Sequence, residues 1–386
     1  MTVTQPKGFR AAGVAAGIKA EGKLDLALVV NDGPLQVAAG VFTRNVIKAA
    51  PVLWSQEVLK QRRLKAVVLN SGGANAATGP GGFQDTHQTA EKVAGLFEAG
   101  AIEVAVCSTG LIGERLPMDA LLSGVDTAFE SLGTGDEADL AAATAVMTTD
   151  TKPKQAAAKH ESGWSVGGFA KGAGMLAPNL ATMLSVLTTD AVVTPEVLDK
   201  ALRAATGVTF DRLDVDGGTS TNDTVLVLAS GASGVEPTEA ELTELLTAVS
   251  LDLVLQLRAD SEGATKYVDV TVTGAANEAD AIAVGRTIAE DNLVKTALFG
   301  SDPNWGRIAM ALGRVPAEID PEKVAIAING VTLFAKGTTA ADRSEADLSG
   351  RDIQIVVDLG LGEGGATIYT TDLSHGYVEE NSAYSS

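Results

Sequence analysis

Residues 171–182 read KGAGMLAPNLAT, and the apolar run MLSVL follows. Gly172 and Gly174 permit positive φ, Pro178 turns Ala177 away from helix, and Asn179 favours a turn. Taken alone, such a loop is an ordinary entry into a buried strand, and its threonine only packs or hydrogen-bonds. A threonine hydroxyl is a poor nucleophile without a base, and no histidine stands near in sequence. Cutting the chain between Ala181 and Thr182 would supply one. The freed α-amine, with an ordinary pKa of about 7.7–8.0, is partly neutral at working pH. One residue then provides both nucleophile and base. Before the cut, the same hydroxyl can attack the Ala181 carbonyl in an N-to-O acyl shift, and water can hydrolyse the ester. The small residue at 181 leaves that carbonyl accessible.

A second pair of interest is Thr109-Gly110, at the end of the strand-like run EVAVCST (103–109). A threonine hydroxyl beside a glycine N–H makes a compact pair of donors, the composition of an oxyanion hole. A simple turn has the same composition. Cys107 lies inside the apolar part of that run, where a thiol is usually buried and inert. The three histidines, His87, His160 and His375, are far apart, and no G-x-S-x-G elbow is present. No metal site is expected. DVDGGTSTND (214–223) resembles a calcium loop but lacks the closing glutamate. LNSGGANAATGPGG (69–82) lacks both G-K-[ST] and G-x-G-x-x-G, so a tight strand-to-helix turn is the better reading than a nucleotide site.

The elements that would position these residues alternate between periods of 2 and 3.6. Strands are expected at 25–31, 65–70, 103–109, 183–191 and 223–230, and helices at 83–97, 117–132, 195–206 and 237–260. The last third carries strands at 267–274, 324–330, 353–360 and 366–374 with few long helices. The fold class is mixed α/β, with a domain over 1–260 and a smaller α+β domain over 261–386. A length of 386 residues allows two or three domains with a sizeable core. A net charge of −20 argues against nucleic acid and anionic membranes as partners. The single cysteine excludes an internal disulfide, and no apolar run reaches the length of a membrane helix. The N-terminal stretch reads as part of the folded protein, which makes a soluble, cytoplasmic location the expectation.

KGAGMLAPNLATMLSVLTTDA resembles the self-cleavage region of the ornithine acetyltransferase family, the bifunctional ArgJ proteins of arginine biosynthesis. PKGFRAAGVAAGIK, GVFTRNVIKAAPV, STGLIGERLPM, MTTDTKPK, VDGGTSTNDT, VKTALFGSDPNWGRI and YVEENSAYSS fit that family in order along the whole chain. The chain departs from the pattern at Gly73, Asp211 and Gly218. The resemblance implies a fold like that of the β-peptidyl aminopeptidases, stacked sheets between helices. It implies Thr182 as the N-terminal nucleophile of a β chain over 182–386, associated with an α chain over 1–181, with α2β2 as the assembly. It makes Thr109 and Gly110 the oxyanion pair and Thr148, Lys171, Thr182, Glu262, Asn381 and Ser386 substrate contacts. The implied reaction moves acetyl from N-acetylornithine to glutamate by double displacement. No cofactor is expected, and acetyl-CoA is a possible co-substrate. A self-processed aminopeptidase or amidase on the same fold is the alternative. On residue type alone, Lys171 also reads as a solvated loop lysine, Glu262 as a helix-end cap and the tail as disordered.

Overall fold

The computed structural model describes residues 2–176 and 183–383. The positions Ala181, Thr182 and Ser386 lie outside the described residues. The chain divides into two compact units, one of residues 1–211 and 218–260 and one of residues 212–217 and 261–385.

In the first unit the strands are β1 (Phe9–Val14), β2 (Leu26–Asn31), β3 (Val37–Phe42), β4 (Ala66–Gly73), β5 (Val104–Leu111), β6 (Lys154–Lys159), β7 (Ser165–Lys171), β8 (Leu184–Thr189) and β9 (Thr224–Ala229). The helices are α1 (Ala50–Val58), α2 (Gly79–Leu96), α3 (Met118–Glu130), α4 (Asp136–Ala145), α5 (Pro195–Val208) and α6 (Glu239–Ala259). One sheet runs β1-β2-β4-β5 and the other β3-β9-β8-β7-β6. β2, β8 and β9 are buried at every position, as expected of strands covered on both faces. The two sheets share one core, in which Leu28, Val67 and Val106 cluster with Phe169, Val186 and Leu226. α3 and α4 pack on β1 and β2, while α5 packs on β3 and α6 on β6 and β7. The stacked sheets are thus enclosed by helices. α6 begins with a reciprocal capping box, Thr238 with Glu241.

Four strands of this unit, β1, β3, β6 and β7, escape the sequence reading because they are built from alanine and glycine, which have little strand preference. Close packing explains that composition. A Cβ on Gly13 would stand 2.0 Å from the Ala141 carbonyl oxygen of α4, and one on Gly167 would stand 1.9 Å from the Thr2 carbonyl oxygen.

The second unit holds β10 (Tyr267–Ala275), α7 (Glu278–Ala289), α8 (Asn292–Phe299), α9 (Trp305–Leu312), β11 (Ala325–Ile328), β12 (Val331–Ala335), β13 (Thr338–Thr339), β14 (Asp352–Asp358), β15 (Gly364–Thr371) and α10 (His375–Ala383). Its sheet runs β13-β12-β11-β14-β10-β15, with β10 and β14 parallel. Val268, Val270, Val272, Ile355 and Val357 face Val284 and Ile288 of α7. The strand expected over 324–330 is shorter than that. It ends at Ile328, where Asn329 (φ 47°) and Gly330 (φ 82°) form a two-residue turn into β12. Asn-Gly with both φ positive is the preferred turn of a tight hairpin.

Candidate active site

β4 and β5 lie side by side and parallel, so their C-terminal ends emerge together. The register breaks there. Gly73 faces both Thr109 and Leu111, a bulge that lets the backbone turn sharply. Gly110 sits in this bulge with φ of 130°, and a Cβ on it would lie 2.5 Å from the Gly73 nitrogen. Only glycine fits at 110. Gly73 is also tightly framed, since a Cβ there would meet Leu116 at 2.8 Å. Asn222 ties the ends down, its Nδ2 donating to the carbonyls of Ala74 (2.7 Å) and Ser108 (2.8 Å).

Lys171, the last residue of β7, is buried and not a solvated loop lysine. Its Nζ donates to the Thr109 hydroxyl at 3.2 Å and to the Thr148 hydroxyl at 2.9 Å. Each hydroxyl thereby accepts from the ammonium and keeps its own proton for another acceptor. Donation from a charged group polarises the O–H and makes it a stronger donor. Three of the residues singled out from sequence, Thr109, Thr148 and Lys171, meet within hydrogen-bond reach, and Gly110 follows Thr109.

The ammonium is held by a buried ionic network that sequence reasoning did not single out. Asp150 Oδ2 lies 3.9 Å from Lys171 Nζ, while Asp150 Oδ1 accepts from the buried Lys154. Lys154 also pairs with Asp260. The backbone N–H groups of Thr148 (2.9 Å) and Gly172 (2.7 Å) complete the shell of Asp150. Burial alone would raise the Asp150 carboxyl, but Lys171, Lys154 and these donors hold it at about 2. The i,i+4 pair Asp150/Lys154 inside MTTDTKPK was its only sequence signal. Lys19 stands close by, with Nζ donating to the Met147 carbonyl at 2.7 Å. Desolvation holds its pKa below the usual lysine value, with Lys171 adding to the shift.

In the sequence, residues 172–182 follow Lys171 directly and precede Met183, the residue before β8. β7 and β8 are antiparallel neighbours with Lys171 opposite Leu184.

In the second unit, Asn381 of α10 donates Nδ2 to Glu262 Oε2 at 2.9 Å. Glu262 is half-buried just beyond the end of α6. The tail is helical as far as Ala383, where composition alone suggested disorder.

The other candidates are structural. Cys107 is buried, and its thiol is pushed up to about 12 by desolvation. His87 packs edge-on to Trp54, His160 stacks on Trp164 and His375 packs edge-on to Phe299. Residues 69–82 form a strand end, a turn and the start of α2. Among the described residues, no group of three or more His, Cys, Asp or Glu side chains could hold a metal ion, and no helix is long and apolar enough to cross a membrane.

The sequence model of the ArgJ family matches residues 10–386. An arginine biosynthesis bifunctional protein ArgJ from Mycolicibacterium paratuberculosis is 64% identical over 389 aligned positions, covering 100% of this chain and 96% of that protein. The protein of the same name from Mycobacterium tuberculosis H37Rv is 62% identical with the same coverage. Among solved structures, an ornithine acetyltransferase from Mycobacterium tuberculosis, complexed with ornithine, aligns at 65% identity and a TM-score of 0.46, covering 47% of this chain and 96% of that one. With full-length identity of this order, the chain belongs to the ArgJ family and is an acyltransferase.

Proposed function

We propose that the chain cuts itself between Ala181 and Thr182 and then carries acetyl from N-acetylornithine to glutamate through an acetyl-Thr182 intermediate, as a step in arginine biosynthesis. The observation that carries the proposal is Lys171. It is buried at the end of β7 and bonded to both Thr109 and Thr148. The full-length similarity to proteins named arginine biosynthesis bifunctional protein ArgJ supports the pathway.

In the cut, the Thr182 hydroxyl adds to the Ala181 carbonyl carbon and the C–N bond breaks. The hydroxyl proton ends on the freed amine. Water then hydrolyses the ester, leaving a carboxylate at Ala181 and restoring the hydroxyl. In turnover, the hydroxyl attacks the acetyl carbon of N-acetylornithine and its proton leaves on the ornithine nitrogen. The glutamate amine attacks the acetyl ester and regenerates the hydroxyl. Each addition puts negative charge on a carbonyl oxygen, and the Thr109 hydroxyl, polarised by Lys171, donates to it together with the Gly110 N–H. Thr148, Lys171, Glu262, Asn381 and Ser386 contact the substrates, with Glu262 meeting an ammonium. Acetyl-CoA as a second donor would make the enzyme bifunctional. The cut halves, residues 1–181 and 182–386, stay together as α2β2 in the cytoplasm, with the catalytic domain over 1–260.

Thr182→Ala tests the proposal on a denaturing gel and in an acetylornithine–glutamate assay. The expected result is one full-length band and no transfer, against two bands and transfer for the parent. Two normal fragments from the variant would refute it, and free acetate in place of acetylglutamate from the parent would make it a hydrolase.

A further inference from the structure

Asp25 is fully buried, and its carboxylate accepts four consecutive backbone N–H groups, those of Ala16 (2.6 Å), Gly17 (3.1 Å), Ile18 (2.7 Å) and Lys19 (2.9 Å). Residues 16–19 are thereby wrapped around one side chain and set against β4. A Cβ on Gly72 would meet Ile18 Cγ2 at 3.1 Å and Lys19 Cγ at 3.2 Å. Gly72 is paired in register with Gly110. The stem of Lys19 therefore lies on the bulge that holds Gly110. Its ammonium donates to the carbonyls of Met147 at 2.7 Å and Leu24 at 3.1 Å. Met147 directly precedes Thr148, whose hydroxyl accepts from Lys171. Two ammonium groups are thus bonded to adjacent residues of one segment. An ammonium offers three N–H donors, and the third of Lys19 has no partner among the described residues. Neither carbonyl neutralises it, and both oxygens of Asp25 are taken by the backbone. Burial works against the charge of Lys19, Asp25 supports it and Lys171 opposes it. An anion set against the third N–H would offset both opposing effects.

We infer that Lys19 is a specificity-determining residue whose ammonium binds the second carboxylate of a dicarboxylic acceptor. The inference deepens the proposed transfer to glutamate and rests on it. N-acetylornithine carries one carboxylate and one side-chain ammonium, whereas glutamate carries two carboxylates. One cation can serve the carboxylate that donor and acceptor have in common, and Lys171 is that cation. The second carboxylate belongs to the acceptor alone. Glu262, the proposed partner of the donor's ammonium, would repel it, so it needs a cation of its own. Lys19 supplies one. Its third N–H donates to the carboxylate while the Met147 and Leu24 carbonyls hold its head in place. No covalent bond changes at Lys19, which stays an ammonium throughout. An acceptor with an amide at that position leaves the ammonium without a counter-charge, and the site discriminates against it.

The test measures transfer from N-acetylornithine by the full protein, with glutamate or glutamine as acceptor. Glutamine has the same length and an amide in place of the side-chain carboxylate. Lys19→Gln keeps a donor for the carbonyls of Met147 and Leu24 and removes the charge. The ratio of kcat/KM for glutamate over glutamine should fall about tenfold, through a higher KM for glutamate. Lys19→Arg keeps the charge and should retain most of the ratio. A Lys19→Gln protein with the parental ratio overturns the inference. So does an equal loss with both acceptors, because a residue that only props the Met147–Thr148 segment affects them alike. A parent that does not favour glutamate over glutamine overturns it too. A parent that transfers acetyl to neither acceptor refutes the proposed reaction, and this inference with it. Should Lys19→Gln not fold, reductive methylation of the parent, mapped at Lys19 by peptide mass, decides. Saturating glutamate should protect Lys19 more than saturating glutamine, and equal protection overturns the inference.

Discussion

A hydroxyl is useful in an oxyanion hole only if its proton is available, and the contact from Lys171 secures this for Thr109. An ammonium has no lone pair, so the Thr109 oxygen must be the acceptor and its hydrogen points elsewhere. Thr109→Val keeps the shape of the side chain and removes the donor. In folded, processed protein kcat should fall on the order of 10²–10³-fold with KM little changed, and steady-state kinetics would show it. Unchanged turnover would remove Thr109 from the mechanism. Thr109 and Gly110 were legible in the sequence as a hydroxyl-glycine donor pair, whereas Lys171 was singled out only through the resemblance to the family, its residue type alone reading as a solvated loop lysine. Asp150 and Lys154 were not singled out. A lone acid or lysine in a polar stretch such as MTTDTKPK looks solvated, and only folding reveals that both are buried.

The segment carrying Asp150 and the β6–β7 hairpin act as one device, because Lys154 opens β6, Lys171 closes β7 and Asp150 receives both. Two buried lysines with their carboxylates are costly to desolvate, so such a network is retained for geometry more than for stability. Removing one acid leaves charge uncompensated. Asp150→Asn should destabilise the protein by about 3 kcal/mol, seen as a lower denaturation midpoint at pH 7. The pH dependence has a definite direction. The carboxyl is held at about 2 against an ordinary value of 3.8, so its stabilisation is complete above 3.8 and is lost as pH falls toward 2. The depression corresponds to about 2 kcal/mol. The gap between parent and variant should narrow across that window, and a constant gap would show that Asp150 is not ionised in the fold. The elements themselves were legible where apolar runs were long. β2, β4, β5, β8 and β9 fall where periodicity puts them, and α3, α5 and α6 agree to within two residues. In β1 and β7, two of the strands passed over, glycine makes room for a neighbouring backbone, a tertiary reason that no local pattern displays. The Asn329-Gly330 turn was readable and was overlooked inside an apolar run.

At the scale of the whole molecule the composition excludes more than it specifies. A net charge of −20 and a core rich in alanine and valine give no hint of acyl transfer. That came from ordered motifs spread over the full length, which no single unit contains. The double displacement proposed for the chain predicts parallel lines when initial rates are plotted against one substrate at several levels of the other. It also predicts an acetylated 182–386 fragment, by mass, when donor is supplied without glutamate. Intersecting lines would mean that both substrates bind before any chemistry. The C-terminus gives the last expectation. α10 carries its polar residues to Ala383, and Asn381 reaches back to Glu262 within the same unit. A short exposed helix of this composition has little intrinsic stability, and helices of this length depend on such tertiary contacts. Deleting 381–386 removes the partner of Glu262 but leaves the 172–182 loop, Lys171 and Thr109 untouched. The truncated protein should therefore still separate into two fragments on a denaturing gel, while acetyl transfer to glutamate drops at least tenfold. Full activity after truncation would make the tail dispensable. Failure to cut would show that the C-terminal residues are needed before the nucleophile exists.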